Sequence, residues 1–109
     1  MTPLIVSHSV VATAVGNTVI WTPTPGLRFV LLSAVVVYSG TNAAAPLISL
    51  NDSGTFVTYL LAPPTAQYSA AFTFDIPGGG YVSTADNNVL NVNLSGASGV
   101  AVTVWGYEE

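Results

Sequence analysis

Few side chains in this 109-residue chain could carry out acid–base or nucleophilic chemistry. The sequence has one histidine, one arginine, five carboxylates, no lysine and no cysteine. The lack of cysteine excludes disulfides, thiolate metal ligands and cysteine nucleophiles. His8 lies between Ser7 and Ser9, but neighbouring residues of a strand point to opposite faces, so neither serine can pair with it locally. We therefore expect His8 to be a partly exposed strand residue and not a catalytic one.

The three aspartates lie at or beside predicted turns. Two carboxylates could hydrolyse a glycosidic bond, and several could bind calcium together with carbonyl oxygens. However, Asp52-Ser53-Gly54 and Asp86-Asn87-Asn88 are ordinary turn sequences, because short Asp and Asn side chains accept hydrogen bonds from the backbone. No EF-hand spacing is present. We expect no metal, no cofactor and no enzymatic activity, and a hydrolase that uses Asp52 and Asp86 is the last of the alternatives.

The run Pro77-Gly78-Gly79-Gly80 is superficially similar to a phosphate-binding loop. A P-loop needs a lysine followed by serine or threonine, and this chain contains no lysine. Three glycines between strands instead predict a tight bend or a close approach to a neighbouring chain.

Charged residues make up only 6% of the sequence, whereas an ordinary soluble domain has roughly a quarter. Half of the residues are hydrophobic, which is not the composition of a disordered protein. With a net charge of -4 and Arg28 as the only cation, the chain cannot neutralise several phosphates, so nucleic-acid binding is excluded. The longest apolar run, Leu27 to Tyr38, is too short for a membrane helix, which takes about 20 residues.

Valine, threonine, isoleucine and aromatic residues dominate the chain, and turn residues separate short runs of them, which is typical of an all-β sandwich or barrel. We predict a single domain over residues 1–109: a two-sheet antiparallel β-sandwich, jelly-roll-like, with about eight strands. The predicted strands are Leu4 to Ala14, Thr18 to Thr22, Leu27 to Ser39, Leu47 to Asn51, Thr55 to Ala62, Gln67 to Asp75, Val82 to Ala85, Val89 to Ser95 and Val100 to Tyr107.

The segment from Leu27 to Ser39 is apolar on both sides, because its hydrophobic residues do not alternate with polar ones. A strand of this kind is normally covered on both faces. A single sandwich leaves the outer face of each sheet in solvent. We therefore predict that a second subunit covers this strand.

The aromatic residues leave two interpretations open. Tryptophan and tyrosine could form a platform on which sugar rings stack, or they could be core and interface anchors. Tyr68, Phe72 and Phe74 share one predicted strand face, which favours the core. Tyr81 and Tyr107 lie beside glycines near strand ends and are better surface candidates.

Three segments carry a resemblance to a known class of protein. They are Thr22-Pro23-Thr24-Pro25-Gly26-Leu27-Arg28 before the long apolar strand, Ile76 to Gly80 followed by Thr84 to Ser95, and Val102 to Glu109 at the end. In this order they resemble small β-sandwich proteins of tailed bacteriophages, including capsid decoration (cement) proteins and related head or tail accessory proteins. The resemblance spans most of the chain from Thr22 on. It lies in turns and strand endings, so no residue role carries over from it.

The resemblance implies a homo-oligomer, expected to be a trimer, of jelly-roll-like subunits on a capsid surface. Its partner would be the major capsid protein of a tailed phage, and its location the virion, after synthesis in the bacterial host cytoplasm. The segment Met1 to Ser9 is predicted to be an arm laid on the capsid. The residues expected to contact a partner or a sister subunit are Leu27, Phe29, Leu31, Val35, Val37, Tyr81, Trp105 and Tyr107.

The alternative function is a carbohydrate- or receptor-binding module of a phage tail fibre or another tail accessory protein. It predicts exposed aromatic residues beside Asn and Asp side chains, for example Tyr81 with Asp86 to Asn88.

Overall fold

The computed structural model describes residues 4–38, 48–60, 70–96 and 99–109, and these form nine strands. The strands are β1 (Val6–Ala12), β2 (Gly16–Trp21), β3 (Phe29–Tyr38), β4 (Ile48–Asp52), β5 (Thr55–Leu60), β6 (Ala70–Asp75), β7 (Tyr81–Val82), β8 (Leu90–Leu94) and β9 (Val100–Glu108). Each overlaps a strand predicted from the sequence, so the all-β prediction is confirmed. Within the described ranges, no helix is long and apolar enough to cross a membrane.

The strands form two antiparallel sheets. Sheet A has the order β1-β9-β3-β6, with β7 also paired to β3, and sheet B has the order β2-β8-β4-β5. When β7 is set aside, the first strand pairs with the last, the second with the next to last, and so on inward to the β4–β5 hairpin. This nested pairing is the topology of a jelly roll, in which a long hairpin is rolled into two facing sheets.

The core lies between the two sheets and follows from strict alternation along the strands. In β9, Val100, Val102 and Val104 point inward and are fully buried. Leu90 and Val92 of β8 are buried in the same core cluster, in the other sheet. Burying one such side chain stabilises the fold by about 1.5–3 kcal/mol relative to leaving it exposed. Alternation of this kind leaves the intervening residues of β8 and β9 on the outer faces.

Strand β3 lies between β9 and β6 and buries the residues at its start. Phe29 and Leu31 have exposed fractions of 0% and belong to the core cluster. The prediction that these two residues contact a partner subunit is therefore wrong, because side chains two positions apart share a face and here that face is the core of their own chain. A bulge between Leu31 and Ser33 then shifts the alternation.

The outer side of β3 is partly covered by the chain itself. Val30 has an exposed fraction of 0% although it lies on this side. It is flanked in register by Tyr107 of β9 and Val82 of β7. At this position the strand is already buried within its own chain, so no second subunit is needed to cover it. Further along, Val37 is 38% exposed.

The glycine run joins β6 to β7, and all three glycines have positive φ, at 74°, 87° and 97° for Gly78, Gly79 and Gly80. The chain turns sharply here, so that β7 pairs with β3 beyond the end of β6. A Cβ atom on Gly80 would lie 2.6 Å from the carbonyl oxygen of Leu31. The predicted tight bend is confirmed, and the close approach is to a strand of the same chain.

The first residues of the chain do not form an arm over their whole predicted length. Residues 6–9 belong to β1, which pairs with β9 from Val6 opposite Gly106 onward. The prediction of an arm from Met1 to Ser9 is wrong for this part, because Val6 and His8 alternate with exposed serines and fit a half-buried edge strand. Residues 1–3 lie outside the described residues.

We predict that Gly106→Ala lowers the free energy of unfolding by about 2 kcal/mol or more. A Cβ atom there would collide with the carbonyl oxygen of Val30 and would lie 3.0 Å from two atoms of the Trp21 ring. Urea denaturation followed by tryptophan fluorescence measures the change. Gly54→Ala is the matched control, because nothing lies within 4 Å of its Cβ position. An equal decrease in the free energy of unfolding of the two variants would contradict the close packing of β9 on β3.

Candidate functional site

Asp52 lies at the end of β4 and is fully buried. Its carboxylate accepts hydrogen bonds from Tyr81 Oη at 3.0 Å, Ser83 Oγ at 2.8 Å and the Thr84 backbone N–H at 2.7 Å. Burial acts to raise its pKa, but the hydrogen bonds from Thr84, Ser83 and Tyr81 outweigh burial and leave the pKa below its usual value. Burial, together with the bond to Asp52 and its charge, raises the pKa of Tyr81 to about 12. The network fixes the segment after β7 against the end of β4.

Arg28 and the turn after residue 85 are linked in the same region. The Arg28 Nε atom donates to Asp86 Oδ1 at 3.0 Å, and Asn87 Oδ1 accepts from the Gly26 backbone N–H at 2.7 Å. Asn87 has φ of 69°, which a short amide side chain tolerates. The patch proposed for sugar binding at Tyr81 and residues 86–88 therefore consists of side chains that are bonded within the chain.

Glu108 connects the end of β9 to the segment after β2. Trp21 Nε1 donates to Glu108 Oε2 at 3.0 Å, and the Thr24 backbone N–H donates to both carboxylate oxygens at 3.2 Å. The ring of His8 stacks on Trp21 with 4.8 Å between centroids. His8 is half-buried, as predicted, and lines a depression of about 510 Å³ with Leu4, Val6, Ser7, Thr24 and Glu108.

Five of the six charged side chains are gathered at one end of the sandwich, and their contacts hold loops together. We call this region the charged end, formed by Arg28, Asp52, Asp86, Glu108 and Glu109. The two aspartates that a hydrolase would need, Asp52 and Asp86, are bonded to different partners. In the part of the chain that the structure describes, no three His, Asp or Glu side chains are placed to hold a metal ion. The geometry of the charged end is that of a structural network.

The outer face of sheet A differs from the charged end because it has almost no charged side chains. The register of β1, β9, β3 and β6 aligns its residues in rows across the four strands. The rows are Ser7, Trp105, Ser33 and Asp75; Ser9, Thr103, Val35 and Thr73; and Val11, Ala101 and Val37. Asp75 is the single charged residue in these rows. This surface, which we call the outer face of sheet A, combines a tryptophan, aliphatic side chains and neutral hydroxyls.

Two details of the outer face of sheet A bear on binding. The Ser9 and Thr103 hydroxyls share a hydrogen bond of 2.9 Å, so these polar groups are already paired with each other. Val11 is 66% exposed and Val37 is 38% exposed, at the end of the face furthest from the charged end. An apolar row beside paired hydroxyls can be covered by another protein at little desolvation cost.

The residues predicted to contact a partner fall into three groups. Trp105, Val35 and Val37 lie in successive rows of the outer face of sheet A, and Tyr107 lies on the same side of the sheet, opposite Val30. Phe29, Leu31 and Tyr81 point into the core, and Tyr81 packs 6.4 Å from Phe29 between ring centroids. Leu27 lies in the loop before β3, where its backbone bonds to Thr24 and Asn87.

Sequence reasoning missed Val11 as a surface residue. It follows Val10, and the pair looks like a continuous apolar run, but β1 alternates and turns Val11 outward while Val10 packs against the core. The signal was present in the serines at positions 7 and 9, which share its face.

Comparison with known proteins assigns the chain to no family. No protein-family model matches the chain, and no curated protein matches it.

We predict that Asp52→Asn lowers the free energy of unfolding at pH 7 by about 2–3 kcal/mol, because an amide cannot accept all the bonds that the carboxylate accepts. The folded-state pKa of Asp52 lies below 3.8, so its stabilising effect is present above that pH and is lost as pH falls through the folded-state pKa. The difference between wild type and variant should therefore be constant at neutral pH and shrink below about pH 4. Denaturation curves across pH measure it.

The exposed Asp75 supplies the matched control for this experiment. Asp75→Asn should change the free energy of unfolding by no more than about 0.5 kcal/mol. If Asp52→Asn changed the free energy of unfolding equally little, the hydrogen bonds of Asp52 would not stabilise the segment after β7.

Proposed function

We propose that the protein is a structural virion protein of a tailed phage, which decorates the assembled capsid as a homo-oligomer, expected to be a trimer. In this proposal the outer face of sheet A is the surface through which the protein contacts other protein, both in the oligomer and on the capsid. The observation that carries this proposal is that the face is nearly uncharged. One of its rows contains Trp105, and another contains the exposed side chains of Val11 and Val37. Interface centres are depleted in charged residues and enriched in tryptophan and tyrosine.

The energetics of that face favour contact with protein. Apolar area removed from water contributes about 25 cal/mol per Å². Burial of a lone charge costs much more than burial of a paired hydroxyl. Asp75, at the margin near the charged end, is the only residue in the rows that would incur that cost. The rest of the face can be buried without leaving an unpaired charge away from water.

Decoration would act through linkage. A protein that binds only the assembled lattice stabilises it, by about 2.7 kcal/mol per site when its free concentration is 100 times the Kd. No catalytic group is needed for this effect.

The jelly-roll topology and the sequence resemblance both support a structural role in a virion. Jelly rolls occur in viral capsid proteins and in lectins, although a fold by itself does not assign a function. The resemblance of the loop before β3, the glycine turn and the last strand to phage accessory proteins favours the virion over other settings.

The outer face of sheet A can be tested by charge substitution. We predict that Val11→Lys and Val37→Lys each convert the oligomer to monomer or weaken its association at least tenfold, because a lysine in the contact must be desolvated. Sedimentation equilibrium measures the association. Val19→Lys is the matched control, since Val19 is 50% exposed on the opposite sheet. A wild-type protein that is monomeric at high concentration would contradict the oligomer.

Capsid binding is a separate measurement. Capsids of the phage that encodes the chain, assembled without it, should bind the wild-type protein in co-sedimentation and unfold at a higher temperature with it than without it. Val37→Lys should reduce the bound amount, and Val19→Lys should not. If the wild-type protein binds neither expanded nor unexpanded capsids, the decoration role is overturned.

A further inference from the structure

The outer face of sheet B carries a set of amide side chains from three adjacent strands. We call it the asparagine face, formed by Asn17, Ser49, Asn51, Asn91 and Asn93. Asn93 pairs in register with Asn17 on one side and Ser49 on the other, and Asn91 pairs with Asn51. These residues come from β2, β8 and β4, whose neighbouring strands lie about 4.8 Å apart. None of these five side chains is charged.

The amides are already oriented by bonds to one another. Asn93 Nδ2 donates to Asn17 Oδ1 at 2.8 Å, and Asn51 Nδ2 donates to the same oxygen at 3.5 Å. Two donors thus converge on one acceptor, which leaves the Asn17 amide nitrogen and the carbonyl oxygens of Asn51 and Asn93 for other partners. The face therefore offers donors and acceptors side by side.

Asn91 strengthens the case for a ligand. Its exposed fraction is 6%, and its side chain makes no hydrogen bond to any residue that the structure describes. Buried side-chain amides are normally paired, because an unpaired one loses its hydration without compensation. A ligand with hydroxyl groups placed over Asn51 and Asn93 would lie near this amide and could satisfy it.

An aromatic ring borders the amides. Phe56 of β5 is 52% exposed and stands opposite Asn51, next to a bulge in the β4–β5 pairing. Bulges of this kind often re-aim side chains beside binding sites. At the other edge, Val19 of β2 stands opposite Asn91 and is 50% exposed. The amides thus have an apolar side chain at each edge of the sheet.

We propose that the asparagine face binds a neutral oligosaccharide. Each sugar hydroxyl both donates and accepts, which matches the mixed amide groups, and the apolar face of a sugar ring fits against the exposed Phe56 ring. The lack of cations on the face disfavours phosphate and other anions. Together with Phe56 of β5, the face extends about 14 Å across the four strands of sheet B, which is wide enough for more than one sugar ring. This site is on the opposite sheet from the proposed capsid contact and does not rest on it.

The test is a titration of the ¹⁵N-labelled wild-type protein with soluble neutral oligosaccharides: maltotetraose, cellotetraose, mannotetraose, a galactose tetramer and tetra-N-acetylchitotetraose. At least one should give saturable shifts in the side-chain NH₂ signals of Asn51, Asn91 and Asn93, with a Kd in the range of about 0.1–10 mM, as expected of a shallow site. If none does so up to about 10 mM, the proposal is overturned. Shifts confined to sheet A would overturn it as well.

Variants locate the site for the oligosaccharide that binds. Asn93→Ala and Phe56→Ala should each weaken its binding about tenfold or more, whereas Phe56→Tyr, which keeps the ring, should bind like wild type. Thr73→Ala, an exposed polar change on sheet A, is the control for nonspecific effects. Circular dichroism and thermal unfolding check that each variant is folded. Unchanged binding in both folded alanine variants would overturn the assignment.

The two proposals can fail separately. Asn93→Ala should leave oligomerisation and capsid binding unchanged, and Val37→Lys should leave sugar binding unchanged. A single variant that abolished both activities while still folded would show that the two sheets do not carry independent sites.

Discussion

The indole ring of Trp21 is the contact on which the arrangement of the two sheets depends. It comes from β2 in sheet B, yet it packs against three strands of sheet A: His8 of β1 stacks on it, Phe29 of β3 lies 5.6 Å away between centroids, and Gly106 of β9 lies directly against it. A buried indole N–H needs an acceptor, and Glu108 provides it. Glu108 in turn accepts from the segment after β2, so one side chain fixes the sheet packing and a loop together. The absence of a Cβ atom at position 106 is a condition for this arrangement.

The strands and their buried faces could be predicted from local pattern. The alternation of Leu90, Val92 and Leu94 with asparagines is enough to assign β8 and its inward face, and Gly-, Pro- and Asp-containing turns mark most ends. Strand pairing could not be predicted in this way, because Asn17 and Asn93 meet across 76 positions. The bulge in β3 also has no local signal. It shifts which residues of a continuously apolar segment face inward, and this is why the sequence pattern predicts the wrong environment for Phe29 and Leu31.

The candidate surfaces depended on register more than on composition. Trp105, Val35 and Val37 could be named as surface residues, but the row that joins Val11 to Val37 through Ala101 exists only once β1, β9 and β3 are aligned. The asparagine face is the stronger example, since each amide taken alone looks like an ordinary polar residue on an exposed strand. Asp52 shows the converse. The sequence predicts an ordinary turn in which this carboxylate accepts hydrogen bonds from the backbone, whereas the folded chain also buries it fully and adds hydrogen bonds from the Tyr81 and Ser83 hydroxyls.

The concentration of charge at one end of the sandwich has a consequence for how the molecule approaches other surfaces. At physiological ionic strength a field decays over about 8 Å, so the far rows of both sheets lie largely outside the influence of Asp52, Asp86 and Glu108. The protein is elongated, with extents of 46 × 22 × 19 Å, and has an anionic tip, while Asp75 is the one charged residue in the rows described on its sides. Two copies brought together tip to tip repel, whereas copies side by side feel little electrostatic force and are held by short-range packing. Electrostatic repulsion between the charged ends thus influences how two copies are oriented as they approach. The strength of binding then depends on how well their surfaces pack.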